Sequence, residues 1–133
     1  SWEIHFEKKV DESLLGVHIP SMLLQPIVEN SVNYGIRNID WEGRIVLSVY
    51  REEEKVCISI KDNGVGMTEE RIAQVMQNCI SHQEDTGDSN GVGLNNVMER
   101  LHLFFDGAEE FVMMSEGPGR GTEVVIRIPY LKM

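Results

Sequence analysis

The chain has 133 residues, enough for one domain with a real hydrophobic core and too few for two of ordinary size. Its 12 basic and 22 acidic side chains leave a net charge of -10, a surface that repels nucleic-acid phosphate and anionic lipid and excludes both as natural partners. No stretch approaches about eighteen consecutive apolar residues, so no insertion into a membrane is expected, and no leader is visible at Ser1-Trp2-Glu3-Ile4. Cys57 and Cys79 make a poor disulfide framework and read as reduced thiols of a cytosolic protein.

In chain order, Ile4–Val10 reads as an edge strand. After Pro20-Ser21, residues 22–35 are apolar on one side and read as a first helix. Ile45, Leu47 and Val49 alternate within 44–51, as do Val56, Ile58 and Ile60 within Lys55–Asp62, and the acidic run Glu52-Glu53-Glu54 between them reads as a hairpin tip. Thr68 is a candidate N-cap, with Glu69 and Glu70 in the first turn where the helix dipole favours them, and Ile72, Val75, Met76 and Cys79 follow at helical spacing. Residues 81–90 are polar throughout, a loop long enough to act as a lid. Leu94, Val97, Met98, Leu101 and Phe105 fall at offsets 0, 3, 4, 7 and 11, a third helix. Residues 111–115 and Thr122–Pro129, with Val124, Ile126 and Ile128 in phase, close the chain as strands. The predicted fold is α+β: a two-layer α/β sandwich whose mixed, mostly antiparallel sheet is covered by about three helices, residues 1–133 forming a single domain.

Three glycine motifs and one polar helix face stand out. Asp62-Asn63-Gly64-Val65-Gly66 lies where a strand ends and a helix is about to begin; a carboxylate there can accept a hydrogen bond from an exocyclic amine, and glycines let backbone approach a flat ligand. The same string is also an ordinary turn. Gly91-Val92-Gly93-Leu94 opens the third helix, where free N–H groups and the dipole suit a phosphate, although a hinge for the preceding loop explains it equally. Pro118-Gly119-Arg120-Gly121-Thr122 reads as a tight turn before the last strand. On the first helix Asn30 shares a face with Asn33 and Tyr34, and Glu29 lies beside Asn33; neutral amides and a carboxylate suit a hard cation such as Mg2+.

Together these strings carry a resemblance. Residues 20–30, Pro-Ser-Met-Leu-Leu-Gln-Pro-Ile-Val-Glu-Asn, resemble the N box of sensor histidine kinases in the GHKL superfamily, in the subgroup typified by LytS- and YesM-like sensors. Residues 62–67 resemble the G1 box, 91–101 the G2 box, and 117–122 the glycine-rich turn that follows, all in register along essentially the whole chain. The resemblance implies a Bergerat-type sandwich that binds ATP and Mg2+ beneath a lid at roughly 75–92. It implies a cytosolic domain of a membrane-anchored sensor that transfers the γ-phosphoryl group to a histidine on the dimerisation domain of its own parent, and thence to a response regulator. Glu29 and Asn30 stand as its catalytic candidates, with Asn30 the magnesium ligand. Nucleotide contacts are implied for Asn30, Asn33, Tyr34, Asp62, Gly64, Gly66 and Met67, with Asp62 bonding adenine. They are implied also for Gly91, Val92, Gly93 and Leu94 beside the phosphates, and for Thr122.

Two departures from the family pattern bear on chemistry. Asn33 stands where many relatives have a phosphate-holding lysine, in a domain whose acidity makes a counter-cation close to obligatory; Arg37 is a candidate substitute, though nothing in the sequence shows that it serves. Pro26 stands where GHKL hydrolases carry a glutamate general base, which favours transfer to a neutral imidazole over water activation, and it should kink the helix or mark its effective start. None of the 4 histidines, His5, His18, His82 and His102, has the sequence context of the phosphoacceptor. The competing readings are a non-catalytic nucleotide-binding regulatory module and, further off, a GHKL ATPase or serine kinase.

Overall fold

The computed structural model describes residues 4–14, 21–81 and 90–130. Strand β1 (Ile4–Val10) is followed by a single 3-10 turn, Glu12–Leu14, and then by helix α1 (Ser21–Asn30), which continues without a break as a π-helical segment, Ser31–Ile36. Strands β2 (Gly43–Glu52) and β3 (Lys55–Asp62), helices α2 (Glu69–Ser81) and α3 (Asn90–Phe105), and strands β4 (Glu110–Met114) and β5 (Thr122–Pro129) complete it. The 5-stranded sheet has the order β1-β2-β3-β5-β4. Only β1 pairs parallel, with β2; the other pairings among the described residues are antiparallel.

Register decides which side chains meet. Leu47 pairs with Ile60 and Val49 with Ile58 across β2 and β3, while Ile60 pairs with Val124 and Ile58 with Ile126 across β3 and β5. These residues form one apolar panel. The helices cover that panel with Leu23 and Ile27 from α1, Val75 from α2, and Leu94, Val97 and Leu101 from α3, all buried. Among the described residues no helix covers the opposite face. Its central residues Cys57, Ser59 and Val125 are nonetheless buried beneath long charged side chains, with the Ser59 hydroxyl on Glu123 and the Cys57 thiol 3.6 Å from Glu52 Oε2. Burial and the neighbouring Glu52 raise the Cys57 thiol pKa, so this free cysteine is held as an inert thiol.

Local chemistry sets the helix starts. Thr68 Oγ1 accepts a hydrogen bond from the Arg71 amide at 3.1 Å, the N-cap geometry expected of it. Thr68→Ala should cost about 1 kcal/mol and lower the melting temperature by roughly 3–5 °C, readable by calorimetry. Pro26 lies inside α1, which begins at Ser21, so the proline does not mark the start of the helix. The first helix differs from expectation further on, where Ser31–Ile36 is π-helical. The glycine pair opens α3, as expected, lying in its first turn, which starts at Asn90. The expected lid overlaps helix at both ends, 75–81 belonging to α2 and 90–92 to α3, while 82–89 lie outside the described residues.

Candidate nucleotide site

Val56, Ile58, Ile60 and Asp62 occupy one face of β3, so the alternation that buries three aliphatic side chains also carries the carboxylate inward. Asp62 is 4% exposed. Its Oδ1 accepts the Gly64 amide at 2.9 Å and the Thr122 amide at 3.3 Å, and the Ser31 side chain also hydrogen-bonds the carboxylate. Burial raises its pKa above the ordinary 3.8, while the Gly64, Ser31 and Thr122 hydrogen bonds pull the other way. Three donors leave part of the carboxylate's roughly four acceptor positions for a ligand.

The carboxylate forms part of the wall of a cavity of about 220 Å3. One wall is the end of α1 and the π segment, with Asn30, Ser31, Tyr34 and Gly35; the other is Val65, Gly66, Met67, Arg71 and Val75. Asp62, Met113, Thr122 and Val124 form the sheet side. The π-helical turn explains the first wall. Hydrogen bonding from i to i+5 widens each turn, so the i+4 residue stays on the cavity side, and π segments recur at functional sites. Asn30 and Tyr34 accordingly meet the cavity, whereas Asn33 is exposed and outside its lining.

Glycine serves here for the close approach of backbone to backbone. A Cβ on Gly64 would collide with the Gly35 backbone, one on Gly66 (φ 69) with the Gly117 carbonyl, and one on Gly121 (φ 75) with the Asp62 carbonyl. On Gly35 it would sit 3.0 Å from Asp62 Oδ1. The turn before β5 is indeed tight, and it also grips the loop after Asp62: Gly121 N donates to Gly64 O at 3.1 Å and Gly119 N to Val65 O at 2.6 Å. On the other side Val65 N donates to Gly35 O at 2.8 Å. Asn63 bridges the Glu42 carbonyl and the Arg44 amide through its side-chain amide, and the Trp41 indole N–H donates to Asn63 O at 2.8 Å.

Of the residues singled out in the sequence, the structure gathers Asn30, Tyr34, Asp62, Gly66, Met67 and Thr122 at the cavity and places Gly64 immediately behind it. Glu29 is exposed, accepting a hydrogen bond from Gln25 Nε2 at 3.0 Å, and lies outside the lining. Gly91, Val92 and Gly93 stand in the first turn of α3, with a Cβ built on Gly93 3.6 Å from Pro26 Cβ, and Leu94 is a core residue at 0% exposure. Arg37 is exposed and outside the cavity's lining; Arg71 is the cationic side chain in its described lining, with Nη1 2.8 Å from Gln74 Oε1. Nothing in the sequence distinguished Arg71, Ser31 or Gly35, since each is a single polar or small residue on a helix. Of the histidines, His5 faces Glu42 and His102 faces Glu109, both exposed, while His18 and His82 lie outside the described residues. No group of three metal-ligating His, Cys, Asp or Glu side chains occurs among the described residues.

A buried carboxylate, held by two backbone amides and the Ser31 side chain, thus lies in a cleft between two helices and the end of a sheet. Residues 20–132 match the family described as Histidine kinase-, DNA gyrase B-, and HSP90-like ATPase, and the chain belongs to it. Sensor histidine kinase YesM of Bacillus subtilis is 32% identical over 126 residues, which cover 95% of this chain and 20% of that protein. Sensor protein LytS of Oceanobacillus iheyensis is 30% identical over 121 residues, 91% of this chain and 20% of that protein. The chain therefore spans about one fifth of the length of these relatives. Among solved structures, the mycobacterial sensor histidine kinase MprB superposes with a TM-score of 0.68 at 19% identity, covering 98% of this chain and 84% of that one. The catalytic domain of histidine kinase ThkA does so with 0.66 at 16%, covering 96% and 80%. The fold is that of histidine kinase ATPase domains, as the four boxes implied.

Proposed function

We propose that this chain is the ATP-binding catalytic domain of a sensor histidine kinase, binding Mg-ATP in the Asp62 cavity and passing the γ-phosphoryl group to a histidine on a separate dimerisation domain. The observation that carries the proposal is the Asp62 carboxylate, buried, held on Oδ1 by two amides and bordering the cavity with acceptor capacity to spare. An adenine exocyclic amine is the donor it suits. Binding is expected in the micromolar-to-millimolar range usual for enzyme substrates.

Asn30 stands at the cavity rim, and its amide oxygen is a hard ligand that fits Mg2+, an ion that keeps waters and phosphate oxygens around it and needs few protein ligands. When bound, the ion supplies charge neutralisation at the phosphates. The first turn of α3, with Gly91 and Gly93, offers amides and the positive dipole end to the same phosphates. Asn30→Ala should remove the magnesium dependence of ATP binding and weaken it only to the metal-free value; calorimetry with and without Mg2+ checks this. Trp41 is hydrogen-bonded next to Asp62 and should report nucleotide through its fluorescence.

The dimerisation domain, the response regulator downstream and the cytoplasmic, membrane-anchored setting of the parent are part of the same proposal. No helix among the described residues is long and apolar enough to cross a membrane. A non-catalytic nucleotide-binding module is the second reading, favoured by Asn33 lying outside the cavity and by Arg71 as the cation in its described lining. Hydrolysis is disfavoured by Pro26, an apolar ring where water activation needs a base. Supplying a helical acceptor domain in trans with Mg-ATP decides between them. Acid-labile phosphohistidine supports the kinase, tight ATP binding without it supports the module, and steady phosphate release by the chain alone supports a hydrolase.

A further inference from the structure

Ser115 stands between β4 and the turn that grips the Asp62 loop, and it does not border the nucleotide cavity. Its hydroxyl accepts the Met67 amide at 3.1 Å and the Gly117 amide at 3.2 Å, and donates to Gly121 O at 2.6 Å. One proton and two lone pairs are the whole capacity of a serine hydroxyl, and all are used. Met67 and Gly66 border the cavity. Along the same seam Gly119 and Gly121 donate to Val65 and Gly64, so Gly64, Val65 and Met67 each bond to the 115–121 segment. Ser115 is the only side chain among these hydrogen bonds, and its bond to Met67 fixes the end of the loop that borders the cavity.

We infer that Ser115 is a positioning residue for nucleotide: through Met67 it holds the base-contacting loop in its binding geometry without touching the ligand. The inference rests on the proposed ATP-binding reading, and it has a part that does not. In the nucleotide-free protein, Ser115→Ala removes the acceptor of a part-buried amide, so Met67 N–H should exchange faster while amides in the centre of β3 keep their rates. In the presence of nucleotide the loop must be ordered on binding, and Mg-ATP affinity should fall roughly three- to tenfold, the worth of one hydrogen bond. Because the seam lies at the base end, adenosine should weaken by the same factor as Mg-ATP. A general loss of stability would produce neither that equality nor an effect measured well below the melting temperature.

The test is amide hydrogen exchange on the 133-residue chain without ligand, with calorimetric titrations of Mg-ATP and adenosine, for wild type, Ser115→Ala and Ser115→Thr. Faster Met67 exchange and the equal loss of affinity in the alanine variant, both reversed in the hydroxyl-bearing threonine variant, are expected. Unchanged Met67 exchange in Ser115→Ala overturns the inference whatever the chain binds. Wild-type affinity in Ser115→Ala overturns it also, and so does a loss confined to Mg-ATP. Failure of the wild type to bind either ligand overturns the ATP-binding reading, and with it the assignment of Ser115 to nucleotide positioning, even where Met67 exchange shows that the seam itself exists.

Discussion

Replacing Asp62 by asparagine should lower ATP affinity at least a hundredfold while leaving the fold as stable as before or more so. Asparagine Oδ1 can still accept the Gly64 and Thr122 amides, which both bond Oδ1 in the native protein. Its NH2 group then faces the ligand amine, donor against donor. Losing a charge-assisted hydrogen bond and leaving a buried donor unmatched together amount to about 3 kcal/mol or more, and each 1.4 kcal/mol is about a factor of ten. Stability should move the other way, because burial raises the Asp62 pKa and so disfavours the charged form in the fold. The pH dependence follows with opposite signs. Between its ordinary 3.8 and its raised value, Asp62 holds a proton in the folded chain that the unfolded chain has released, so stability falls as pH rises through that window. Affinity for the amine needs the ionised acceptor and rises through the same window. Asp62→Asn should flatten both profiles in melting and titration series. A variant that binds ATP normally would remove the carboxylate from the site.

Gly64→Ala is the second large effect expected. Its new Cβ meets the carbonyl oxygen, carbonyl carbon and Cα of Gly35, all backbone, so no side chain can rotate away to make room. The π segment and the Asp62 loop must separate, breaking the 2.8 Å bond from Val65 N to Gly35 O and moving the cavity walls apart. A cost of about 3 kcal/mol and a fall of roughly 10 °C in melting temperature are expected, with nucleotide binding lost. Gly119→Ala is the control. A Cβ there meets nothing within 4 Å, and only its φ of 78 is unfavourable, at about 1–2 kcal/mol. Equal melting temperatures for the two alanine variants would contradict the close approach at Gly64.

The strands were the most legible part of the sequence. Lys55–Asp62 and Thr122–Pro129 have the bounds that alternation predicts, because one covered face imposes a period of two. The same period puts Asp62 on the covered face two residues beyond Ile60, although its expected role came from the resemblance carried by residues 62–67 and not from position. Strand β1 was also legible, though its side chains are mostly exposed, as suits an edge. The π segment was not. A six-residue change of helical pitch leaves the apolar pattern nearly intact, and it moved Asn33 off the face it was expected to share with Asn30 and Tyr34. The glycines announced a site, but not that Gly64, Gly66 and Gly121 are also required by neighbouring backbone. Ser31 and Ser115 gave no signal, because a lone hydroxyl has no period and its value depends on which distant groups the fold brings to it. Arg71 looked like an ordinary residue of the first turn of α2 until the cavity was formed around it.

The central claim, that ATP binds over Asp62 beneath the helices, is tested most directly by mapping amide chemical shifts of the chain on titration with Mg-ATP. The largest changes are predicted at Gly64, Gly66, Met67 and Thr122 and in the first turn of α3, and they should vanish in Asp62→Asn. A second cavity, bordered by Lys61, Glu116, Arg120 and Glu123, lies toward the face of the sheet that carries no helix. Shifts concentrated there, or shifts that persist in Asp62→Asn, would contradict the claim.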